Sequence, residues 1–138
     1  MDSRDDALRG TVVWVHPELK IDPLHRQNFI GVICEANLEL DDIYVDFVDK
    51  IGLYTADSLF TFLPADEVSR NLDDLANDTT FENLKALTQI SIFLHYGDVN
   101  GKVKAMRLAR DHPLIQPMCI EILLEQLNKD ISRNYGFD

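Results

Sequence analysis

Ile43-Tyr-Val-Asp-Phe-Val-Asp-Lys-Ile-Gly-Leu-Tyr-Thr-Ala-Asp-Ser-Leu-Phe-Thr-Phe-Leu63 decides the fold. In its first six residues Ile43, Val45 and Phe47 point one way while Tyr44, Asp46 and Val48 point the other, the period of a strand. Lys50-Ile51-Gly52 reads as a tight turn into Leu53-Tyr54-Thr55. Ala56-Asp57-Ser58-Leu59 has room for one helical turn before Phe60-Thr61-Phe62-Leu63 resumes as a strand.

Upstream, Gly10-Thr-Val-Val-Trp-Val-His16 is rich in β-branched and aromatic residues, and Pro17 stops it by removing a ladder donor. Glu18 to Asn28 shows no strand period and reads as a long loop of the kind that often carries binding residues. Phe29 to Ala36 forms a second strand, where Gly31 marks a bulge or a close backbone crossing. Asn37 to Asp42 then turns the chain into Ile43.

Strand, long loop, three strands, helical turn, strand: this order over residues 10–63 resembles the SH3-like small-barrel superfold, including its Tudor and KOW relatives. The resemblance implies a five-stranded β-barrel that holds a partner on a groove or an edge. Proline-rich peptide recognition does not carry over, because the chain has a single tryptophan and Trp14 lies inside the first strand. Nor does the spacing supply an aromatic cage for a cation.

After Pro64 the period becomes helical, with Val68, Leu72 and Leu75 on one face of residues 65–76. Thr79-Thr-Phe-Glu82 matches a capping box opening a helix that Gly97 ends after Tyr96. Asn100 is placed to cap Gly101 to Arg110, and Asp111-His112-Pro113 breaks the chain. A final helix is expected from Leu114 to Asn134, burying Ile120, Leu123, Leu124, Leu127 and Ile131 with Pro117 in its first turn. The expected architecture is therefore α+β: a polar segment 1–9, an SH3-like five-stranded β-barrel over 10–63, a helical connector 64–79, and a C-terminal helical subdomain of three to four helices over 80–138.

Charge narrows the function. The chain carries 24 acidic and 13 basic residues, net −11, with −6 on residues 10–63, −4 on 64–79 and zero on 80–138. Such a balance opposes phosphate backbones and anionic lipid as partners. Only Cys34 and Cys119 occur, each in an apolar run, and they read as free thiols of a reducing compartment. The polar N-terminus lacks the apolar core of a signal peptide, and with no long apolar stretch the expected location is cytoplasmic.

Signatures of chemistry are missing. His16, His25, His95 and His112 fit no metal-ligand spacing, and no Cys-x-x-Cys is present. The acids Glu39, Asp41, Asp42, Asp46 and Asp49 lack the order of a calcium loop, while Asp98-Val-Asn-Gly101 reads as a capped turn between helices. Ser58 and Ser69 have no glycine-flanked elbow, and the glycines are too scattered for a phosphate loop. A third reading, a small hydrolase or metal enzyme, would draw on His25, Asp22 and the long loop, where no nucleophile and base are placed together. No catalytic, cofactor or metal residue is assigned, and the chain is expected not to be an enzyme.

If Val13, Val15 and Val45 fill the barrel, then Trp14, Tyr44 and Tyr54 lie outside it. There they either seat the helices or form a partner site flanked by Asp46 and Asp57. The leading expectation is a noncatalytic adaptor whose acidic surface binds a basic or mixed-charge protein. The alternative is a nucleic-acid or transcription-associated regulatory factor, motivated by the Tudor and KOW relatives and by Lys102, Lys104, Arg107 and Arg110.

Overall fold

The computed structural model describes residues 4–75, 77 and 79–134. In chain order its elements are α1 (Arg4–Ala7), β1 (Val12–Val15), β2 (Ile30–Asn37), β3 (Asp42–Asp46), β4 (Ile51–Tyr54), β5 (Leu59–Phe62), α2 (Ala65–Leu75), α3 (Phe81–Tyr96), α4 (Val99–Asp111), α5 (Gln116–Cys119), β6 (Ile120–Ile122) and α6 (Leu123–Asn134). Single 3-10 turns cover Leu38–Leu40, Ala56–Ser58 and Pro113–Ile115. The chain is α+β, and among the described residues no helix is long and apolar enough to cross a membrane.

All strands pair antiparallel, in the order β4-β3-β2-β1-β5-β6. The sheet is open, which corrects the expectation of a closed five-stranded barrel. A sixth strand, β6, takes the outer edge of β5, with Phe60 opposite Ile122 and Phe62 opposite Ile120. The backbone groups with which β5 would have closed on β4 are thereby used.

β6 comes from the middle of the expected last helix. Pro117 lies in the first turn of the four-residue α5, and at Ile120 the backbone becomes extended, with φ −132° and ψ 161°. The alternating Ile120-Glu-Ile122 suits a pleated edge as well as a helical stripe, and pairing with β5 decides for the strand. Leu123 and Leu127 are buried as expected, Leu124 is exposed, and the Ile131 side chain lies outside those described. The caps also move: Thr80 rather than Thr79 accepts the Asn83 amide, and Asp98 rather than Asn100 accepts the Gly101 amide. The turn between β3 and β4 falls at residues 47–50, so Gly52 is inside β4.

Helices cover both faces of the sheet. On one face Val12, Trp14 and Leu63 pack with Val68, Leu87, Ile90, Met106 and Ile115 of the helical layer. On the other, Val13, Val15, Ile33, Ile43, Val45, Tyr54 and Leu59 pack with Leu8 of the N-terminal segment and with Leu123 and Leu127 of α6. β1 is therefore buried on both sides, and its unbroken Val-Val-Trp-Val is what a doubly covered strand requires. Gly31 is the close crossing: a Cβ there would lie 2.5 Å from Val45 Cγ1 and 3.0 Å from the Asp46 carbonyl oxygen. The bulge itself is at Cys34, where the register slips between Ile33 and Glu35.

Candidate partner-binding site

That bulge sets which side chains face solvent. Beyond it Glu35 pairs with Tyr44, and Tyr44 with Leu53, so the three form one cross-strand row on the outer side of β2, β3 and β4. Asp46 opposite Ile51, and Asn37 opposite Asp42, share that side. The same alternation sends Ile43, Val45 and Tyr54 inward.

Next to this row lies a groove of about 460 Å³ lined by Asp5, Asp6, Arg9, Glu35, Glu39, Asp42 and the half-buried Tyr44. Hydrogen bonds between segments distant in sequence hold its surroundings. The buried Asp5 carboxylate accepts the Leu38 amide at 2.9 Å, and Arg4 Nη1 donates to the Leu127 carbonyl at 3.0 Å, which fixes the N-terminal turn between the sheet and α6. Asp41, left-handed at φ 54°, ends the 3-10 turn, and its carboxylate accepts the Ala56 amide at 2.9 Å. Arg9 is drawn to Asp6 at 3.7 Å, so its charge is partly spent. Among the described residues no three His, Cys, Asp or Glu side chains form a group able to hold a metal ion. What the groove can do is attract and orient a cationic, partly apolar segment.

Of the five residues expected at a partner site, Tyr44 and Asp46 come together on β3. Trp14 does not join them: it is 4% exposed, stacks on Phe60 at 4.8 Å, and donates from Nε1 to the Asn28 side-chain oxygen at 3.0 Å. It seats the helical layer. Tyr54 corrects the expectation outright, because it is 4% exposed on the opposite face. Its hydroxyl donates to Asp22 at 2.9 Å, and burial first, then that bond, pushes its pKa well above the ordinary tyrosine value. Asp57 stands apart on the turn before β5, accepting from the Thr55 hydroxyl.

The long loop is a brace. The buried Asp22 also accepts the amides of Leu24 and Arg26, both at 3.0 Å, so its carboxylate is occupied, and His25 beside it points to solvent. Arg26 lies over the rings of Phe29 and Phe47 and pairs with Asp49, whose pKa that hydrogen bond lowers. The basic residues of α4 diverge. Arg107 and Arg110 line a groove of about 410 Å³ with Gln27 and Asn28, whereas Lys102 lines a different one beside Arg9 and Thr11. Ser69 lies 2.9 Å from His95 Nε2 and 3.0 Å from Ser91, and the trio reads as a polar clasp between α2 and α3.

Sequence reasoning missed Glu35, Asp5 and Leu53. Glu35 changes sides only because of the bulge, and Asp5 arrives from a segment whose docking on β2 has no local signature. Compared with protein-family models, curated proteins and solved structures, the chain matches none.

Proposed function

We propose that this chain is a noncatalytic binding module whose acidic groove around Tyr44 receives a basic or mixed-charge segment of another protein. The observation that carries the reading is that Asp5, Asp6, Glu35, Glu39 and Asp42 line the same recess of about 460 Å³ as Tyr44. Each exposed ion pair formed there would contribute about 0–1 kcal/mol. Affinity must then come from several pairs together with the ring, and it must fall with salt. The relation to SH3-like barrels belongs to this reading; the order β4-β3-β2-β1-β5 and the 3-10 turn before β5 support it, with the sheet left open. The two free thiols suit a reducing compartment such as the cytoplasm.

The test is a pull-down and titration at low and at physiological ionic strength, with the double variant Glu35→Lys/Asp42→Lys as control. Expected is capture of basic protein that the variant and added salt both abolish. Recovery of no protein partner at low salt would overturn the reading.

A second reading, a nucleic-acid-associated factor, draws on Arg107 and Arg110 beside the groove of about 410 Å³. It expects DNA or RNA binding at low ionic strength that Arg107→Glu abolishes.

A further inference from the structure

β4 is an edge of the sheet, and its outer side is unpaired. The Phe47 amide bonds the Lys50 carbonyl at 2.9 Å, which makes that pair hydrogen-bonded. Alternation then gives hydrogen-bonded pairs at Val45–Gly52 and Ile43–Tyr54, and sends the N–H and C=O of Ile51 and Leu53 outward. Among the described residues no other backbone group bonds to them. Ile51 and Leu53 are 59% and 54% exposed, and β4 itself holds no lysine, proline or bulge of the kind that blunts natural edges.

We infer that this edge accepts an extended, Lys- or Arg-bearing segment of a partner protein as a seventh strand. The inference rests on the acidic-groove reading and gives it a binding mode. Ile51 and Leu53 supply up to four backbone hydrogen bonds to the added strand. That strand lies about 4.8 Å from β4 and about 9.6 Å from β3, so a lysine or arginine stem crosses the aliphatic Ile51 or Leu53 and brings its charge to Asp46 or to the Tyr44 ring. This accounts for two exposed aliphatic side chains beside carboxylates. Charge selects the occupant: pairing β4 with β4 of a second copy would join the acidic faces of two chains of net charge −11 on one sheet.

The experiment uses the whole chain and a decapeptide of alternating lysine and valine, with the glutamate–valine decapeptide as control. Amide exchange is read residue by residue, and affinity is measured for the parent, Leu53→Pro and Leu53→Ala. Proline removes the outward N–H of residue 53 and leaves the ladder to β3 intact. Expected are slowed exchange at Ile51 and Leu53 with the lysine peptide alone, and binding about tenfold or more weaker in Leu53→Pro than in Leu53→Ala. Binding that is lost in Glu35→Lys/Asp42→Lys but leaves these two amides fast and ignores Leu53→Pro overturns the edge proposal and keeps the groove. Binding of neither peptide overturns both. Slow exchange at Ile51 and Leu53 without peptide, rising with protein concentration, assigns the edge to a second copy and overturns the proposal. If Leu53→Pro fails to fold, exchange in the parent chain decides.

Discussion

The Tyr54 hydroxyl donates to the Asp22 carboxylate at 2.9 Å across 32 residues of chain, tying the long loop to the edge strand β4. Asp22 also holds the Leu24 and Arg26 amides, so one buried carboxylate organises the loop and sets the inner side of the proposed docking edge. Tyr54→Phe leaves two of the three donors in place and is expected to cost about 1–2 kcal/mol. Asp22→Ala strands all three and should cost about 3 kcal/mol or more. Urea titration of both variants checks the order, and equal losses would refute the bracing role.

Trp14 supplies a direct reading of its own placement, since the chain has one tryptophan. Buried to 4% exposure against Phe60, it should emit at short wavelength and resist quenching by iodide. Unfolding should shift the emission red. Strong quenching in the native protein would return Trp14 to the surface and to the partner site.

Alkaline pH acts on Cys119. Burial pushes this thiol from an ordinary 9.0 up to about 12, and it donates to the Ile115 carbonyl. Its folded pKa is the higher one, so above pH 9 the unfolded chain binds fewer protons and gains. The stabilisation is whole below pH 9 and is lost as pH rises through about 12, amounting to about 4 kcal/mol. Tyr54, raised in the same direction, adds to the loss above the ordinary tyrosine range. Cys119→Ala should flatten the alkaline limb in denaturant titrations from pH 7 to pH 11, while lowering stability at neutral pH through the small cavity it leaves.

Much of this was legible in the chain, and what was not has physical causes. β1, β3, β5 and helices α2, α3 and α4 were readable because their periods are set by neighbours in sequence. β6 was not, since Ile120-Glu-Ile122 satisfies a helical stripe and a strand equally, and only the vacant edge of β5 chooses. Tyr44 and Asp46 share the outer side of β3, as their alternation with Val45 implies. Tyr54 was misplaced because the turn closes at Lys50, which shifts β4 against the expected Gly52 and reverses its faces.

Gly31 and Gly10 should respond differently to alanine. At Gly31 the new Cβ would sit 2.5 Å from Val45 Cγ1, 2.9 Å from Phe47 Cδ1 and 3.0 Å from a carbonyl oxygen, and the strand cannot recede without losing its pairing. A loss of about 2–4 kcal/mol is expected. At Gly10 nothing lies within 4 Å, and the cost is that of φ +84° alone, about 1–2 kcal/mol. Melting temperatures of the two variants give the comparison, and a Gly31→Ala variant as stable as Gly10→Ala would show that β2 and β3 are not in this close contact.

Val48 lies in the turn between β3 and β4, at φ 81° and 98% exposed. A β-branched residue in the left-handed region is strained by about 1–2 kcal/mol, and an exposed side chain returns nothing through packing. The Asp46 carboxylate holds the Val48 amide at 2.7 Å and keeps the turn in this form. Val48→Gly relieves the strain while freeing the unfolded chain, so a net stabilisation of about 0.5–1 kcal/mol is expected. Asp46→Ala should instead loosen the turn and cost about 1 kcal/mol. The two substitutions also separate fold from function: Val48→Gly removes no charge or outward backbone group of β4 and should leave peptide affinity unchanged, whereas Asp46→Ala should weaken it even where the protein remains fully folded. Loss of binding in both variants, with both folded, would move the contact from Asp46 to the turn itself.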